Sequence, residues 1–86
     1  MSLRLPEEIV VDRVLPTVRA MLAVELGERG LTQQEVAARL GVTQAAVSKY
    51  VAGEVRHEER VREDPRTVAA VERIAEGLAG GEMDGY

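Results

Sequence analysis

Apolar residues recur along this chain at the spacing of α-helices, in blocks that glycine and proline separate. The first block begins at Pro6 and stops at Gly27 and Gly30. Pro16 lies inside it, and because proline lacks an amide hydrogen and clashes with the preceding turn, we expect the helix to kink or to split near Leu15. The apolar positions of this block are Ile9, Val10, Val14, Leu15, Val18, Leu22 and Leu26.

A short second helix is predicted over residues 33–40. Thr32 stands before it and Glu35 follows three positions later, which is the Thr-x-x-Glu pattern of a capping box. Gly41 ends the block, since glycine readily adopts the left-handed backbone of a helix end. The apolar stripe of this helix is Val36, Ala37 and Leu40.

A third helix is predicted over residues 43–52, with Thr43 as its cap and Gly53 as its end. Only a few residues separate it from the helix before, which is the connection that a helix-turn-helix requires. The predicted motif therefore covers residues 32–53. We expect its inward positions to be Ala46 or Val47, Tyr50 and Val51.

The C-terminal third contains one further clear helix, over residues 65–79, which Asp64 caps and Pro65 begins. Residues 54–64 are highly charged, and we expect a loop with at most one helical turn. Strand signals are weak, so the fold class is all-α, with about five helices in one domain over residues 1–81 and a disordered tail at 82–86. The apolar stripe of the last helix is Val68, Val71, Ile74, Ala75 and Leu78.

Composition narrows the classes of function. The 86 residues include no cysteine and only two aromatic residues, both tyrosines, which argues against disulfide frameworks, thiolate metal sites and base-stacking readers of single strands. No stretch approaches the roughly 18 apolar residues of a membrane span, and no secretory signal is seen, so we expect a cytoplasmic protein without a membrane partner. With a single histidine, His57, we expect no metal, cofactor or catalytic site, and no enzyme.

The net charge of −4 opposes nucleic-acid binding at first sight, but the charge is unevenly distributed. Residues 29–62 carry six basic and four acidic residues, and this segment contains Lys49, the only lysine of the chain. The local field matters more for phosphate attraction than the sum does. Taken alone, the charge distribution favours ordinary solvated faces over a nucleic-acid surface.

Two short helices that cross at a steep angle require particular residues at the crossing, and three residues of this chain fit that requirement. Ala37 is small enough to let the next helix approach, Gly41 opens the turn, and Val47 faces back into the core. With Gln33 at the start of the first helix, these residues resemble the helix-turn-helix of phage-repressor and XRE-like regulators, over Leu31 to about Gly53. The resemblance implies a lambda-repressor-like bundle that binds double-stranded DNA and regulates transcription.

A narrower resemblance covers residues 14–20 and 41–50, whose sequences are similar to archaeal transcriptional regulators. In some members this module is fused to a thiamine-phosphate synthase-like domain, which makes a thiamine-responsive repressor. The length here leaves no room for that domain, and the cysteines seen in some stand-alone members are missing. The narrower resemblance therefore implies an archaeal regulator and assigns no small-molecule effector.

The second motif helix is expected to be the recognition helix. Such a helix enters the major groove of DNA with its N-terminal end first. Gln44 can pair with the adenine edge, and Ala45 fits a thymine methyl group. Lys49 suits phosphate or guanine, and Gln33 is placed to hold a phosphate and, by the resemblance, to support Gln44. The full set of predicted DNA contacts is Gln33, Thr43, Gln44, Ala45, Ser48, Lys49 and Arg56.

Each assignment has a plainer alternative, since an exposed glutamine or lysine is often only solvated. Arg39 faces out of the first motif helix and is a further candidate. Arg56, Arg60 and Arg62 form either a phosphate-contacting patch or an internally paired loop with the glutamates between them.

A homodimer is the expected assembly, since one recognition helix covers too few base pairs for useful specificity. Its candidate faces are the stripe Val68, Val71, Ile74 and Leu78, or the N-terminal helix with Ile9 and Val10; alternatively, both only close the core of the monomer. The competing functions are a protein-interaction module that has lost DNA binding and an antitoxin-like repressor whose acidic C-terminal end engages a basic partner.

Overall fold

A computed structural model describes residues 14–55 and 58–80. Within these ranges the chain forms five α-helices and no strand, which confirms the all-α prediction. The N-terminal residues 1–13, with the first half of the predicted block, and the tail at 82–86 lie outside the described residues, as do Arg56 and His57. The helices are α1 (Leu15–Glu28), α2 (Gln33–Leu40), α3 (Gln44–Ala52), α4 (Glu59–Glu63) and α5 (Pro65–Ala79).

Helix α1 begins at Leu15, and Val14 before it already has helical backbone angles, φ −69° and ψ −49°. The predicted kink or split near Leu15 also involves residues before position 14, which lie outside the described residues. Pro16 lies in the first turn of α1, where the missing amide hydrogen costs no intrahelical bond. The block ends between the two predicted glycines, because the helix runs through Gly27 to Glu28 and stops before Gly30. The chain reverses at Gly30, whose φ of 100° places it in the region that favours glycine.

The caps of α2 and α3 have the geometry that the sequence predicted. The Thr32 hydroxyl accepts a 3.1 Å hydrogen bond from the Glu35 amide, and the Glu35 carboxylate accepts one of 2.9 Å from the Thr32 amide. The Thr43 hydroxyl accepts a 3.0 Å bond from the Ala46 amide, so Thr43 is the cap of α3 rather than its first residue. These side chains satisfy amides that have no partner in the first turn of a helix.

The charged stretch before α5 contains one short helix, α4, which agrees with the single turn expected there. Helix α5 has the bounds that the sequence predicted, and the Asp64 carboxylate caps it by accepting a 2.8 Å bond from the Arg66 amide. Both helices fold back onto α1, which contacts all four other helices.

The core is small and entirely aliphatic. It contains Leu22, Ala23, Leu26, Val36, Ala37, Val47, Val71, Ala75 and Leu78. Val71 and Leu78 therefore close the core of a single chain, which was the alternative to their role in a dimer face. Ile74 is half-buried and Val68 remains 37% exposed.

One inward prediction is wrong. Val51 was placed on the buried face of α3, but its side chain is 48% exposed, whereas Val47 is fully buried and Tyr50 is half-buried against the core. Val51 is four residues after Val47, so it leans to the edge of the stripe, and the short helix ends before a neighbour covers it. No helix in the described part of the chain is long and apolar enough to span a membrane.

Candidate nucleic-acid interface

The two motif helices cross at small and branched side chains. Ala37 of α2 and Val47 of α3 are 7% and 0% exposed, and Val36 beside them is 1% exposed. Leu40 and Val42 pack against this contact from its edges. The buried face of α3 is thereby fixed against α2 and α1, and its opposite face is held outward.

The turn between the helices depends on Gly41. Its φ of 70° and ψ of 34° are left-handed, a conformation that costs other residues about 1 kcal/mol or more. In this conformation the Val42 amide donates a 3.1 Å hydrogen bond to the Ala37 carbonyl, which also accepts from the Gly41 amide at the end of α2. The turn thus sets the crossing of α3 relative to α2.

The outward face of α3 consists of small polar and cationic side chains. Residues at positions 44, 45, 48 and 49 share one face because a helix repeats every 3.6 residues. All four are exposed, and so is the capping residue Thr43. The structure thus brings five of the predicted DNA contacts together on one surface: Thr43, Gln44, Ala45, Ser48 and Lys49.

The other two predicted contacts, Gln33 and Arg56, are not residues of α3. Gln33 is the first residue of α2, exposed at the positive end of that helix, as Gln44 is at the start of α3. Arg56 lies outside the described residues, so its place in the site stays a prediction.

The other cations differ in their surroundings. Lys49 is exposed in the last turn of α3, where a positive charge interacts favourably with the helix dipole. Arg39 is half-buried in the last turn of α2 rather than fully outward. Arg62 lies 3.9 Å from the Glu59 carboxylate, which favours the paired arrangement over a free phosphate-binding patch for this arginine.

The electrostatics at the start of α2 follow from its cap. The Thr32 amide donates to the Glu35 carboxylate, and this bond, with that of the Thr32 hydroxyl, lowers the pKa of Glu35 from its usual 4.5. The charged carboxylate also lies in the first turn, where the helix dipole favours negative charge. Gln33 therefore starts a helix whose first turn is firmly capped.

Sequence reasoning missed two long-range contacts that join α1 to the helices after the motif, α4 and α5. The buried Thr17 hydroxyl of α1 accepts a 2.7 Å bond from the Glu58 amide, at the start of α4. The Arg29 guanidinium bonds to Glu25 in α1 and, at 3.4 Å, to the Glu72 carbonyl in α5. Both contacts join residues more than 40 positions apart, and no local pattern signals them.

Comparison with known families agrees with this geometry. Residues 22–57 match a family model described as helix-turn-helix. The match spans 36 of the 86 residues, from the buried half of α1 through both motif helices. No curated protein and no solved structure matches the chain significantly.

Proposed function

We propose that this protein binds double-stranded DNA sequence-specifically and regulates transcription, with α3 as the recognition helix. The observation that carries the proposal is the division of α3 into two faces. Val47 is completely buried on one side, while Gln44, Ser48 and Lys49 are exposed on the other. The helix-turn-helix match over residues 22–57 supports DNA as the partner, because that family binds DNA and is not enzymatic.

In this proposal the N-terminal end of α3 enters the major groove. The Gln44 amide both donates to and accepts from an adenine edge, and the Ala45 methyl group contacts a thymine methyl. Ser48 bonds a base edge or a phosphate, and Lys49 contributes charge. Gln33, Thr43 and Arg56 complete the predicted contacts, with Gln33 and Arg56 on the phosphate backbone.

Selection of bound sequences from a random duplex pool tests the proposal most directly. We expect the parent chain to enrich a short motif, and the double variant Gln44→Ala, Lys49→Ala to lose that enrichment. A single bidentate base contact is worth about 1–3 kcal/mol of discrimination, so the affinity for the selected site should fall at least about tenfold. Failure of the parent to enrich any sequence contradicts the proposed function.

A matched control is Arg73→Ala on α5, which removes an exposed cation away from α3. This variant should retain the enriched motif and the affinity of the parent. If it weakens binding as much as the double variant does, the attraction is general electrostatics and the assignment of α3 is wrong.

The proposal includes a homodimer, because two recognition helices one DNA turn apart read enough base pairs for specificity. An enriched sequence with two half-sites about 10 base pairs apart would support it. The cytoplasmic location and the kinship to archaeal regulators, predicted from the sequence, belong to the same proposal.

A protein-interaction module or an antitoxin-like repressor is the second candidate function. The observation that favours it is charge, since the chain carries −4 overall while Lys49 is its only lysine. Copurification of a stoichiometric basic protein, together with failure of the random duplex selection, would favour this candidate over DNA reading.

A further inference from the structure

The large apolar side chains that stay exposed are concentrated at one place. Val24 of α1, Val51 of α3 and Val68 of α5 are 41%, 48% and 37% exposed, and all three line a single groove together with Val55. We call it the valine groove and define it by these four valines. Leu15 is the other large hydrophobic residue with comparable exposure in the described chain, and it lies outside the groove.

Charged side chains of both signs line the same groove. Arg62 of α4 and Glu72 of α5 are exposed, and Glu25 of α1 is half-buried. Glu25 is engaged by Arg29 at 3.1 Å, whereas the Arg62–Glu59 pair is long, at 3.9 Å, and more than half exposed on both sides. Such an exposed pair contributes little, so Arg62 can exchange its partner at low cost.

The groove adjoins the recognition helix without including its outward face. Val51 lies seven positions after Gln44, which is about 10 Å along the helix axis. A partner seated on the groove would therefore touch the C-terminal end of α3 and leave the N-terminal end free for DNA.

We propose that the occupant of the valine groove is the same groove of a second copy of this chain. In a two-fold symmetric interface, any contact between one residue of the first copy and another residue of the second copy occurs twice, once in each direction. The same surface patch must therefore carry both members of every interacting pair. The valine groove meets this condition, because it carries exposed valines and both Arg62 and Glu72, so that Arg62 of each copy can pair with Glu72 of the other. This proposal rests on the proposed function, because specific DNA recognition is the reason to expect a dimer.

The dimensions of the groove favour a weak dimer rather than a permanent one. The groove has a volume of about 270 Å³ and is lined by 13 residues, fewer than the 20–30 residues per side of a standard interface. An interface of this size associates weakly in solution. It is strengthened when both copies bind adjacent half-sites, since the second contact then becomes intramolecular.

Sedimentation equilibrium of the full chain and its variants tests the proposal. We expect the parent to dimerise, and Val51→Glu and Val68→Glu each to raise the dimer dissociation constant at least about tenfold. Leu15→Glu is the matched control, because Leu15 and Val68 are equally exposed at 37%, and it should dimerise as the parent does. A monomeric parent at high concentration, or equal weakening by Leu15→Glu, overturns the proposal.

Charge reversal gives a second measurement that does not depend on burying a charge among valines. Arg62→Glu and Glu72→Arg should each weaken the dimer, and the double variant should restore it, since both reciprocal pairs are rebuilt with opposite polarity. Absence of this rescue contradicts the pairing. Circular dichroism confirms that every variant is folded.

Binding to a single half-site separates this proposal from the proposed function. Val68→Glu, which leaves the recognition helix unchanged, should bind one half-site as the parent does and lose only the cooperative binding of two. If the parent dimerises through the valine groove yet binds no DNA, DNA binding fails while the interface stands. If DNA binding persists but the groove variants dimerise normally, the interface lies elsewhere.

Discussion

The Thr17 hydroxyl accepts a 2.7 Å hydrogen bond from the backbone amide of Glu58, 41 positions later in the chain. Thr17 is the one polar residue among the fully buried residues of the described chain, and its bond anchors the start of α4 on α1. The segment that leaves the recognition helix is therefore fixed to the centre of the bundle.

Replacing Thr17 by valine tests how much this hydrogen bond contributes to the free energy of unfolding. The two side chains have similar shapes, so the main loss is the acceptor for a partly buried amide, which costs about 1–3 kcal/mol of unfolding free energy. Urea denaturation measures the loss, and hydrogen exchange at the Glu58 amide should become faster. Thr17→Ser retains the hydroxyl and should recover most of the lost stability; equal stability of Thr17→Val and the parent would show that the bond contributes nothing.

The two valines at positions 47 and 51 of α3 should respond differently to the same substitution. Val47→Ala removes two methyl groups from a fully buried site and should cost about 2 kcal/mol, while Val51→Ala at 48% exposure should cost less than about 0.5 kcal/mol. The measurement is urea unfolding at low protein concentration, where association contributes little. Equal losses at both positions would contradict the observed orientation of α3.

Two glycines with open space around them should give opposite effects on substitution by alanine. A Cβ atom at Gly41 or Gly27 meets nothing within 4 Å, so backbone conformation decides each outcome. Gly41→Ala places alanine at a φ of 70° and should destabilise by about 1 kcal/mol, whereas Gly27→Ala in helix α1 should stabilise by roughly 0.4–1 kcal/mol. Thermal unfolding compares the two; a stabilising Gly41→Ala would rule out the left-handed turn.

Acid should weaken the protein partly through the caps of α2 and α5. The pKa of Glu35 is lowered from 4.5 by the Thr32 amide, and that of Asp64 from 3.8 by the Arg66 side chain. A carboxyl whose pKa is lower in the folded state adds stability that is complete above its unfolded pKa and is lost as the pH falls through the folded pKa. We therefore expect unfolding midpoints in urea to fall as the pH drops below about 4.5.

The variant Glu35→Gln identifies the contribution of the first cap. Glutamine still completes a capping box but does not titrate, so the midpoint of this variant should fall less steeply with acid than that of the parent. Thr32→Val is the control, because it removes the hydroxyl and leaves the backbone donor that lowers the pKa most, so most of the acid dependence should remain. Parallel pH curves for Glu35→Gln and the parent would disprove the role of Glu35.

Local sequence signals were sufficient for the motif itself. Thr32, Thr43 and Asp64 cap the helices predicted for them, and Gly41 and Gly53 end theirs with positive φ. These signals act through hydrogen bonds and backbone sterics between residues a few positions apart, so they can be read without knowledge of the fold.

Predictions that needed the position of a neighbouring helix were less secure. Of the two glycines expected to end α1, Gly27 lies inside the helix, and Gly30 supplies the positive φ that the reversal requires. Val51 was placed inward because it continues an apolar stripe, but whether the edge of a stripe is covered depends on the helix opposite. The groove that Val51 lines was invisible in the sequence, since its walls come from α1, α3, α4 and α5.

The sequence by itself determined the caps, the turn and the outward set of Gln44, Ser48 and Lys49, because helix periodicity and glycine conformation are local properties. The tertiary structure alone decided that Val71 and Leu78 close the core while Val51 and Val68 stay exposed. It also decided that Thr17 meets Glu58. Burial depends on which surfaces the packed helices bring together, and that is a property of the whole chain.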